Sequence, residues 1–265
     1  MPLAIPAIRL FRLSGLVLAG AVAGGCGSLP TSTQANRAGA GLTDADIGAL
    51  LSSPDRRAAD QTMDARRKPA ELLRFIGPRR GMTALDLAAG GGYTAALLAR
   101  AAGPSGKVYA QAAPRADGPP PSFANLSTRI QADGNIVPVL RPFEQPVPPE
   151  AASGKLDLVT IVDNYHDLGH LGVDRARMNQ AVYAALKPGG SYVIVDHAGR
   201  PGTGISESGS LHRVEAAFVR GEVEAAGFRF ISAGDFLRNP NDLRDRNAPE
   251  PGQAKDGFAL KFTKP

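Results

Sequence analysis

A glycine-rich turn that directly follows a short apolar run constrains the fold of this chain more than any other feature. The apolar run is 83–87, and the turn contains Gly90, Gly91 and Gly92, followed by Tyr93 and an alanine- and leucine-rich stretch. A buried strand, a tight turn and a helix start in this order are typical of a doubly wound α/β fold. Glycines let a ligand approach the backbone, and the N–H groups at the helix start face its polar groups. The sequence therefore predicts a nucleotide-like ligand at this turn.

Strands and helices alternate along the rest of the chain. The apolar patterns predict further strands at 107–110, 136–140, 156–162, 192–195, 228–232 and 258–262. They predict helices at 69–76, 93–103, 123–132, 174–186 and 212–226. Alternation of this kind indicates a parallel sheet, whereas two consecutive strands at the end indicate an antiparallel pair. We therefore expect an α/β fold with a doubly wound, mostly parallel, seven-stranded Rossmann-like sheet and an antiparallel C-terminal strand pair.

The first 26 residues are typical of a targeting segment. Arg9 and Arg12 flank the start of an apolar stretch over 13–23, which is too short to span a bilayer but suits a signal peptide. Small residues then precede Cys26, which resembles the lipidated cysteine of a bacterial lipoprotein signal. Plain secretory cleavage with an incidental cysteine is the alternative. We expect a signal peptide with a lipobox-like cleavage site at 1–26, a flexible linker at 27–41 and one folded domain at 42–265.

This signal predicts where the protein resides. A lipidated Cys26 would anchor the mature chain to a membrane on the periplasmic side of the bacterial cell envelope, and an unmodified Cys26 would leave it secreted or periplasmic. Because Cys26 is the only cysteine, an intramolecular disulfide is excluded and the fold must rest on its core.

Composition argues against nucleic acid as a partner. The chain has 30 basic and 25 acidic residues, a formal charge of +5, and no tryptophan. This excess of positive charge is small, and no basic segment is interleaved with aromatic residues. The arginines ahead of the glycine turn, among them Arg56 and Arg67, are predicted to form a solvated helical face.

Several motifs together resemble the class I S-adenosylmethionine-dependent methyltransferases over about residues 55–265. Asp86 to Gly92 is similar to their first motif, and 186–190 to the turn before their fifth strand. A closer resemblance is to a little-characterised group of predicted, often exported, bacterial methyltransferases. Its hallmarks stand here as Asn164-Tyr165-His166-Asp167, Asp196-His197, Leu211-His212-Arg213 and Leu237-Arg238-Asn239-Pro240. The resemblance implies S-adenosylmethionine as cofactor and methyl transfer to a small-molecule or amphiphilic acceptor.

The resemblance also implies a cofactor site after the first four strands. Its residues would be Asp86, Ala88, Gly90, Gly91, Gly92, Tyr93, Gln111, Phe143 and Asp163. Ala88 replaces the usual glycine, and its methyl group narrows the space for the methionine end of the cofactor. Gln111 replaces the acidic residue that accepts from the ribose hydroxyls, so affinity is expected to be roughly tenfold lower. Phe143 is predicted to stack on the adenine.

All four histidines follow the glycine turn. Three of them come just past predicted strand ends, so they are expected to converge at the carboxyl edge of the sheet, while His170 is expected to be exposed. Methyl transfer needs a base beside the acceptor, and the predicted catalytic residues are His166, His197 and Asp167. Tyr165, His212 and Arg213 are the predicted substrate contacts. Each of these residues also has a structural interpretation as a local cap or a packed side chain.

Two other functions compete with the methyltransferase hypothesis. Histidines and aspartates also suit Zn, Fe or Mn, as in a metal-dependent hydrolase, but their spacing fits no short metal motif, so the preferred hypothesis contains no metal site. The departures at Ala88 and Gln111 favour a non-catalytic envelope module that binds a ligand or a partner.

Overall fold

The computed structural model describes residues 41–114, 126, 129, 132–247 and 254–265. Cys26, the predicted signal peptide and all but the last residue of the predicted linker lie outside these residues. The helices are α1 (Asp44–Leu51), α2 (Ala58–Arg67), α3 (Pro69–Ile76), α4 (Tyr93–Ala102), α5 (Asp167–His170), α6 (Arg175–Ala185), α7 (Ser208–Leu211) and α8 (Ala216–Ala225). The strands are β1 (Thr83–Leu87), β2 (Lys107–Ala112), β3 (Ile136–Leu140), β4 (Leu156–Val162), β5 (Leu186–His197), β6 (Arg229–Gly234) and β7 (Gly257–Thr263).

The seven strands form one sheet in the order β3-β2-β1-β4-β5-β7-β6. β1 to β5 pair in parallel, and β7 lies antiparallel between β5 and β6. The predicted fold class, including the antiparallel C-terminal pair, is confirmed. The strand order reverses between β1 and β4, which is where an open α/β sheet forms its ligand crevice.

Both faces of the sheet are covered because its central strands are apolar on both sides. In β1, Leu85 joins one core cluster and Ala84 the other, and in β4 the same alternation separates Val159 from Leu158. Helices α6 and α8 cover the first face, whereas α3 and α4 cover the second. Continuous apolar strands of this kind need helices on both faces, which leaves the carboxyl edge of the sheet as the place for a ligand.

Two predicted elements, the fifth strand and the helix over 212–226, begin several residues away from their predicted start. β5 begins at Leu186, before the predicted start at Tyr192. The helix predicted over 212–226 begins only at Ala216, because His212 has a φ of +50° and ends the short helix α7. Of the predicted helix 123–132, Leu126, Arg129 and Ala132 are described, and all three are helical. No helix among the described residues is long and apolar enough to cross a membrane.

Candidate functional site

A cleft of about 290 Å³ opens where the carboxyl ends of β1 and β4 meet helix α2. Its floor is the backbone of 86–91, and Val162 and Asn164 close it from β4. The side chains that face it from elsewhere include Arg57, Asp60, Met63, Arg67, Tyr93 and Arg129. The cleft is therefore at the edge of the sheet where the strand order predicts a ligand.

Two glycines of the turn have different roles, one in the backbone conformation and one in leaving space in the cleft. Gly92 has a φ of +78°, and a Cβ there would lie 2.5 Å from Leu126 Cδ1 and 2.9 Å from Arg129 Cδ. Gly91 lines the cleft, and a Cβ at that position would meet nothing within 4 Å. The turn thus needs glycine at Gly92 for its backbone, whereas Gly91 leaves space beside the ligand.

Helix α2 is clamped onto this turn by buried charges. The Arg129 guanidinium donates to both carboxylate oxygens of Asp60 at 2.6 Å, and its Nε donates to the Gly91 carbonyl at 2.5 Å. The Tyr93 hydroxyl donates to Asp64 at 2.7 Å, and Asp64 also accepts two hydrogen bonds from Arg56. Bidentate arginine–carboxylate pairs of this kind fix geometry, so α2 forms a rigid wall of the cleft.

Ala88 and Gln111 form an internal brace. Ala88 has a φ of +50°, and its N–H donates to Gln111 Oε1 at 2.9 Å. Gln111 Nε2 donates to the Arg141 carbonyl at 2.7 Å, and the side chain is fully buried. Both ends of the amide are therefore occupied by protein backbone. This geometry disagrees with the predicted ribose contact, because Gln111 is fully buried and both of its polar atoms already bond to the backbone.

Two residues that line the cleft each carry a buried polar atom, one a hydrogen-bond acceptor and the other a donor. Thr160 donates to Asp86 Oδ1 at 2.7 Å, while Asp86 Oδ2 has no hydrogen-bond partner among the described residues. Arg67 pairs with Asp163 at 3.2 Å, and its Nε likewise has no partner in the described part of the chain. Burial raises the pKa of Asp86 to about 7, against the hydrogen bond from Thr160, the positive charge of Arg67 and the nearby backbone N–H of Ala95. The residues that line the cleft thus include one buried acceptor and one buried donor for which the described part of the chain provides no hydrogen bond.

The other predicted cofactor residues divide between the cleft and the core. The Tyr93 ring lies in the cleft wall, with the Arg67 guanidinium 5.0 Å from its centre. Asp163 holds Arg67 in place from a backbone with a φ of +56°. Phe143 packs against the core cluster on the face covered by α6 and α8 and is not among the residues that line the cleft, so its stacking on the adenine stays a prediction.

The structure brings all four histidines into one cluster, as predicted for three of them. The ring centre of His166 lies 5.7 Å from that of His197 and 5.5 Å from that of His212. His170 is exposed, as predicted, but its ring lies 5.7 Å from that of His212, so this residue also belongs to the cluster. The close contact of α5 with α7 assembles it, since the Ser208 hydroxyl donates to the His166 carbonyl at 2.5 Å.

Two carboxylates hold the His166 ring from both sides. Its Nδ1 lies 2.6 Å from Asp196 Oδ1, and its Nε2 lies 3.0 Å from Asp167 Oδ1. Burial alone would lower the pKa of His166, but the two carboxylates raise it to about 9. The ring is thus protonated near neutral pH with both nitrogens engaged. This arrangement disagrees with the predicted role of His166 as general base, because the ring has no free lone pair.

The two other predicted catalytic residues, Asp167 and His197, differ from His166 in protonation and in hydrogen bonding. Burial alone would raise the pKa of Asp167, but hydrogen bonds from His166 and His212 lower it to about 2. Asp167 therefore acts as a fixed negative charge. Burial lowers the pKa of His197, and no described residue lies within hydrogen-bonding distance of its ring nitrogens. Of the two predicted bases, His197 is the one with a free nitrogen.

Two predicted substrate contacts are instead structural. Tyr165 is fully buried, and its hydroxyl donates to Glu222 at 2.9 Å and accepts from Asn179 at 3.1 Å. Arg213 is also fully buried and pairs with Asp242 at 2.9 Å. Side chains with no exposed surface and satisfied polar atoms do not reach a substrate. The third, His212, is partly exposed and donates to Asp167 at 3.1 Å.

Helix α2 and the residue just before it contribute to the cleft in a way that the predicted solvated face does not include. Arg56 and Arg67 were expected on a solvated face, yet Arg56 is buried and Arg67 lines the cleft. The available signal is the spacing of Asp60, Met63, Asp64 and Arg67, which places them on one side of a helix. Paired charges beside an apolar residue on one stripe indicate a packed face with ion pairs rather than a solvated one.

Comparison with known proteins relates the fold to methyltransferases. No protein-family model matches the sequence. No curated protein matches it either. Among solved structures, a SAM-dependent methyltransferase from Aquifex aeolicus is 18% identical with a TM-score of 0.55, over 83% of this chain and 98% of that one. A candidate sarcosine dimethylglycine methyltransferase from Galdieria sulphuraria is 17% identical with a TM-score of 0.55, over 84% and 92%. An arsenic(III) S-adenosylmethionine methyltransferase from Chlamydomonas reinhardtii is 17% identical with a TM-score of 0.50, over 82% and 72%. At these identities the likeness establishes the class I methyltransferase fold.

Proposed function

We propose that this protein is an S-adenosylmethionine-dependent methyltransferase that acts on a small or amphiphilic acceptor. The observation that carries the proposal is the pair of unpartnered buried atoms at the cleft, Asp86 Oδ2 and Arg67 Nε. Buried polar groups are normally hydrogen-bonded, and leaving one unsatisfied costs about 1–3 kcal/mol. Two such atoms beside a glycine turn are best explained by a ligand that satisfies both.

The chemistry of these two residues fits the methionine end of the cofactor. That end carries a carboxylate, an ammonium and a sulfonium, so it presents one negative and two positive charges. Arg67 would hold the carboxylate, and Asp86 would face the cationic groups across the turn. When bound, S-adenosylmethionine supplies an electrophilic methyl group.

The turn and helix α2 would then complete the binding site. Gly91 leaves room for the ligand next to the backbone, and the clamp between Arg129 and Asp60 holds that backbone still. The Tyr93 ring and the Arg67 guanidinium form a stacked wall on the same side. Since both polar atoms of the buried Gln111 side chain bond to the protein backbone, the ribose must bind without a charged acceptor at that position.

The acceptor would be deprotonated by a histidine that does not line the cleft but interacts with Asp163, the partner of Arg67. His197 carries ring nitrogens with no partner among the described residues, and Asp163 and Asp196 flank it. We assign His197 the role of base, with Asp196 fixing its position through the hydrogen bond from the His197 N–H at 2.7 Å.

Equilibrium dialysis with radiolabelled S-adenosylmethionine tests the cofactor assignment. We expect the wild-type chain to bind it, and Asp86→Asn to weaken binding at least about tenfold because a neutral amide replaces the acceptor. Arg67→Lys keeps the charge opposite Asp163 but lacks Nε, so it is expected to weaken binding to a similar extent. Unchanged binding in both variants would contradict the assignment. Arg220→Lys, on the exposed side of α8, is the matched control.

We further propose that the chain is anchored in the bacterial cell envelope through a lipidated Cys26. The support is the apolar stretch over 13–23, with small residues directly before the only cysteine. Labelling cells with a fatty-acid probe is expected to mark the wild-type chain and not Cys26→Ser. Equal labelling of both, or no labelling of the wild type, would overturn the anchor.

A further inference from the structure

We infer that His166, Asp167 and His212 bind a single divalent transition-metal ion. One ligand atom from each residue lies within 4.8 Å of the other two. The site is separate from the cofactor cleft, since none of the three residues lines it. The inference stands independently of the proposed methyltransferase activity.

The distances in the cluster match those between ligands of one ion. Asp167 Oδ1 lies 3.0 Å from His166 Nε2 and 3.1 Å from His212 Nδ1. Adjacent ligand atoms about 2.0–2.2 Å from one metal ion lie roughly 3.0–3.5 Å apart. The carboxylate oxygen thus stands between two imidazole nitrogens at coordination spacing. Small side-chain rotations would admit the ion, which would take the place of the proton between His166 Nε2 and Asp167 and release it to solvent.

A second, independent observation is the support behind His166. Asp196 is buried, and its Oδ1 accepts from His166 Nδ1 at 2.6 Å while Oδ2 accepts from the His166 backbone N–H at 2.8 Å. Metal-binding histidines almost always donate their other ring nitrogen to a carboxylate or carbonyl, which fixes the ring and its tautomer. The Asp196–His166 pair has this arrangement, with Nε2 directed at Asp167.

The residue types and exposure define the kind of ion. Two imidazoles and one carboxylate suit Zn²⁺, Fe²⁺ or Co²⁺, whereas Mg²⁺ and Ca²⁺ prefer oxygen ligands alone. Asp167 and His212 are partly exposed, with 31% and 40% of their side-chain surface accessible. Three protein ligands and a side open to solvent leave at least one coordination position for water or another small ligand, as in catalytic rather than structural zinc sites.

Cobalt titration of the full-length chain tests the site. After removal of metal with a chelator, Co²⁺ is added and binding is followed by visible absorption and calorimetry. We expect about one equivalent to bind, with the strong absorption of low-symmetry coordination. Asp167→Asn and His212→Asn are expected to weaken binding at least about 100-fold, and Asp196→Asn about 10–100-fold. Asparagine suits His212 because it tolerates the positive φ of that residue.

His170→Gln is the matched control within the same cluster. Its Nδ1 lies 3.0 Å from the Ser208 hydroxyl and 3.9 Å from Asp167, outside the ligand set. Binding within about threefold of wild type is expected, because this change removes no ligand. Absence of stoichiometric binding in the wild type, or wild-type affinity in both Asp167→Asn and His212→Asn, would overturn the inference. So would a loss in His170→Gln as large as in those two variants.

One further measurement uses only the wild type, so it tests the metal site even if the variants fail to fold. X-ray absorption spectroscopy of the zinc-loaded chain is expected to show imidazole and oxygen ligands only. A sulfur ligand would place the ion outside this cluster and overturn the assignment. Because S-adenosylmethionine binding is measured separately, failure of the metal site and failure of the cofactor site give different results.

Discussion

Gln111 Oε1 accepts a hydrogen bond from the Ala88 N–H at 2.9 Å, and its Nε2 donates to the Arg141 carbonyl at 2.7 Å. The amide therefore ties the turn after β1 to the end of β3, across β2. It needs both an acceptor and a donor, which no carboxylate supplies at neutral pH. Glutamine at this position is thus matched to its two backbone partners.

Gln111→Glu is expected to destabilise the protein. A buried carboxylate would face the Arg141 carbonyl without a proton to donate, which costs on the order of 2 kcal/mol or more. Urea denaturation at neutral pH measures this cost. Unchanged stability together with tighter S-adenosylmethionine binding would show that position 111 is a ribose contact after all.

Ala88 and Ala89 are expected to respond oppositely to glycine. Ala88 has a φ of +50°, a conformation that costs an L-residue about 1–2 kcal/mol, whereas the φ of Ala89 is not positive. Glycine at Ala89 therefore only adds freedom to the unfolded chain, which lowers stability by about 0.4–1 kcal/mol. We expect Ala88→Gly to unfold at higher urea concentration than Ala89→Gly. The reverse order would contradict the strain at Ala88.

The affinity for S-adenosylmethionine is expected to rise with pH through about 7. Burial raises the pKa of Asp86 to about 7, so below this pH the carboxyl is increasingly neutral and above it increasingly ionised. Only the ionised form attracts the cationic groups of the ligand. Titrations at several pH values should show this rise in the wild type and not in Asp86→Asn. A parallel rise in both proteins would trace it to the ligand or to another group.

Arg213 is expected to matter for stability rather than for acceptor binding. Its buried guanidinium pairs with Asp242 and donates to the Ala198 carbonyl at 3.1 Å. Removing one partner of a buried pair costs about 3–5 kcal/mol, so Arg213→Ala should lower the free energy of unfolding by that order. Arg220→Ala removes an exposed pair with Glu224 and should cost less than about 1 kcal/mol. Equal effects of the two changes would contradict the structural role.

The sheet could be predicted from the sequence because each strand and turn is marked by the residue types of its own segment. The apolar runs at 83–87 and 156–162 coincide with β1 and β4, and the glycines after β1 coincide with the turn beneath the cleft. Convergence of the histidines also followed from topology, since parallel strands bring their carboxyl ends to one edge. These features depend on the residue types of single segments.

The roles of individual side chains were less readable because they depend on distant partners. Tyr165 and Arg213 each stand beside a histidine in the sequence, which favoured a substrate contact. In the structure, however, Glu222 binds Tyr165 and Asp242 binds Arg213 in the protein interior. His166 looks like a base in sequence, but carboxylates from two different segments hold both of its nitrogens. No local pattern shows such pairings.

The central claim is that the cleft beside Gly91 binds S-adenosylmethionine, and calorimetric titration of two glycine variants tests it most directly. Gly91→Leu places a side chain in the cleft, whereas Gly221→Leu makes the same change on the exposed face of α8, where a Cβ also meets nothing within 4 Å. We predict that the wild type and Gly221→Leu bind with a dissociation constant in about the micromolar range, and that Gly91→Leu binds at least about tenfold more weakly. Absence of heat in the wild type at about millimolar ligand, or equal affinity in all three proteins, would contradict the account.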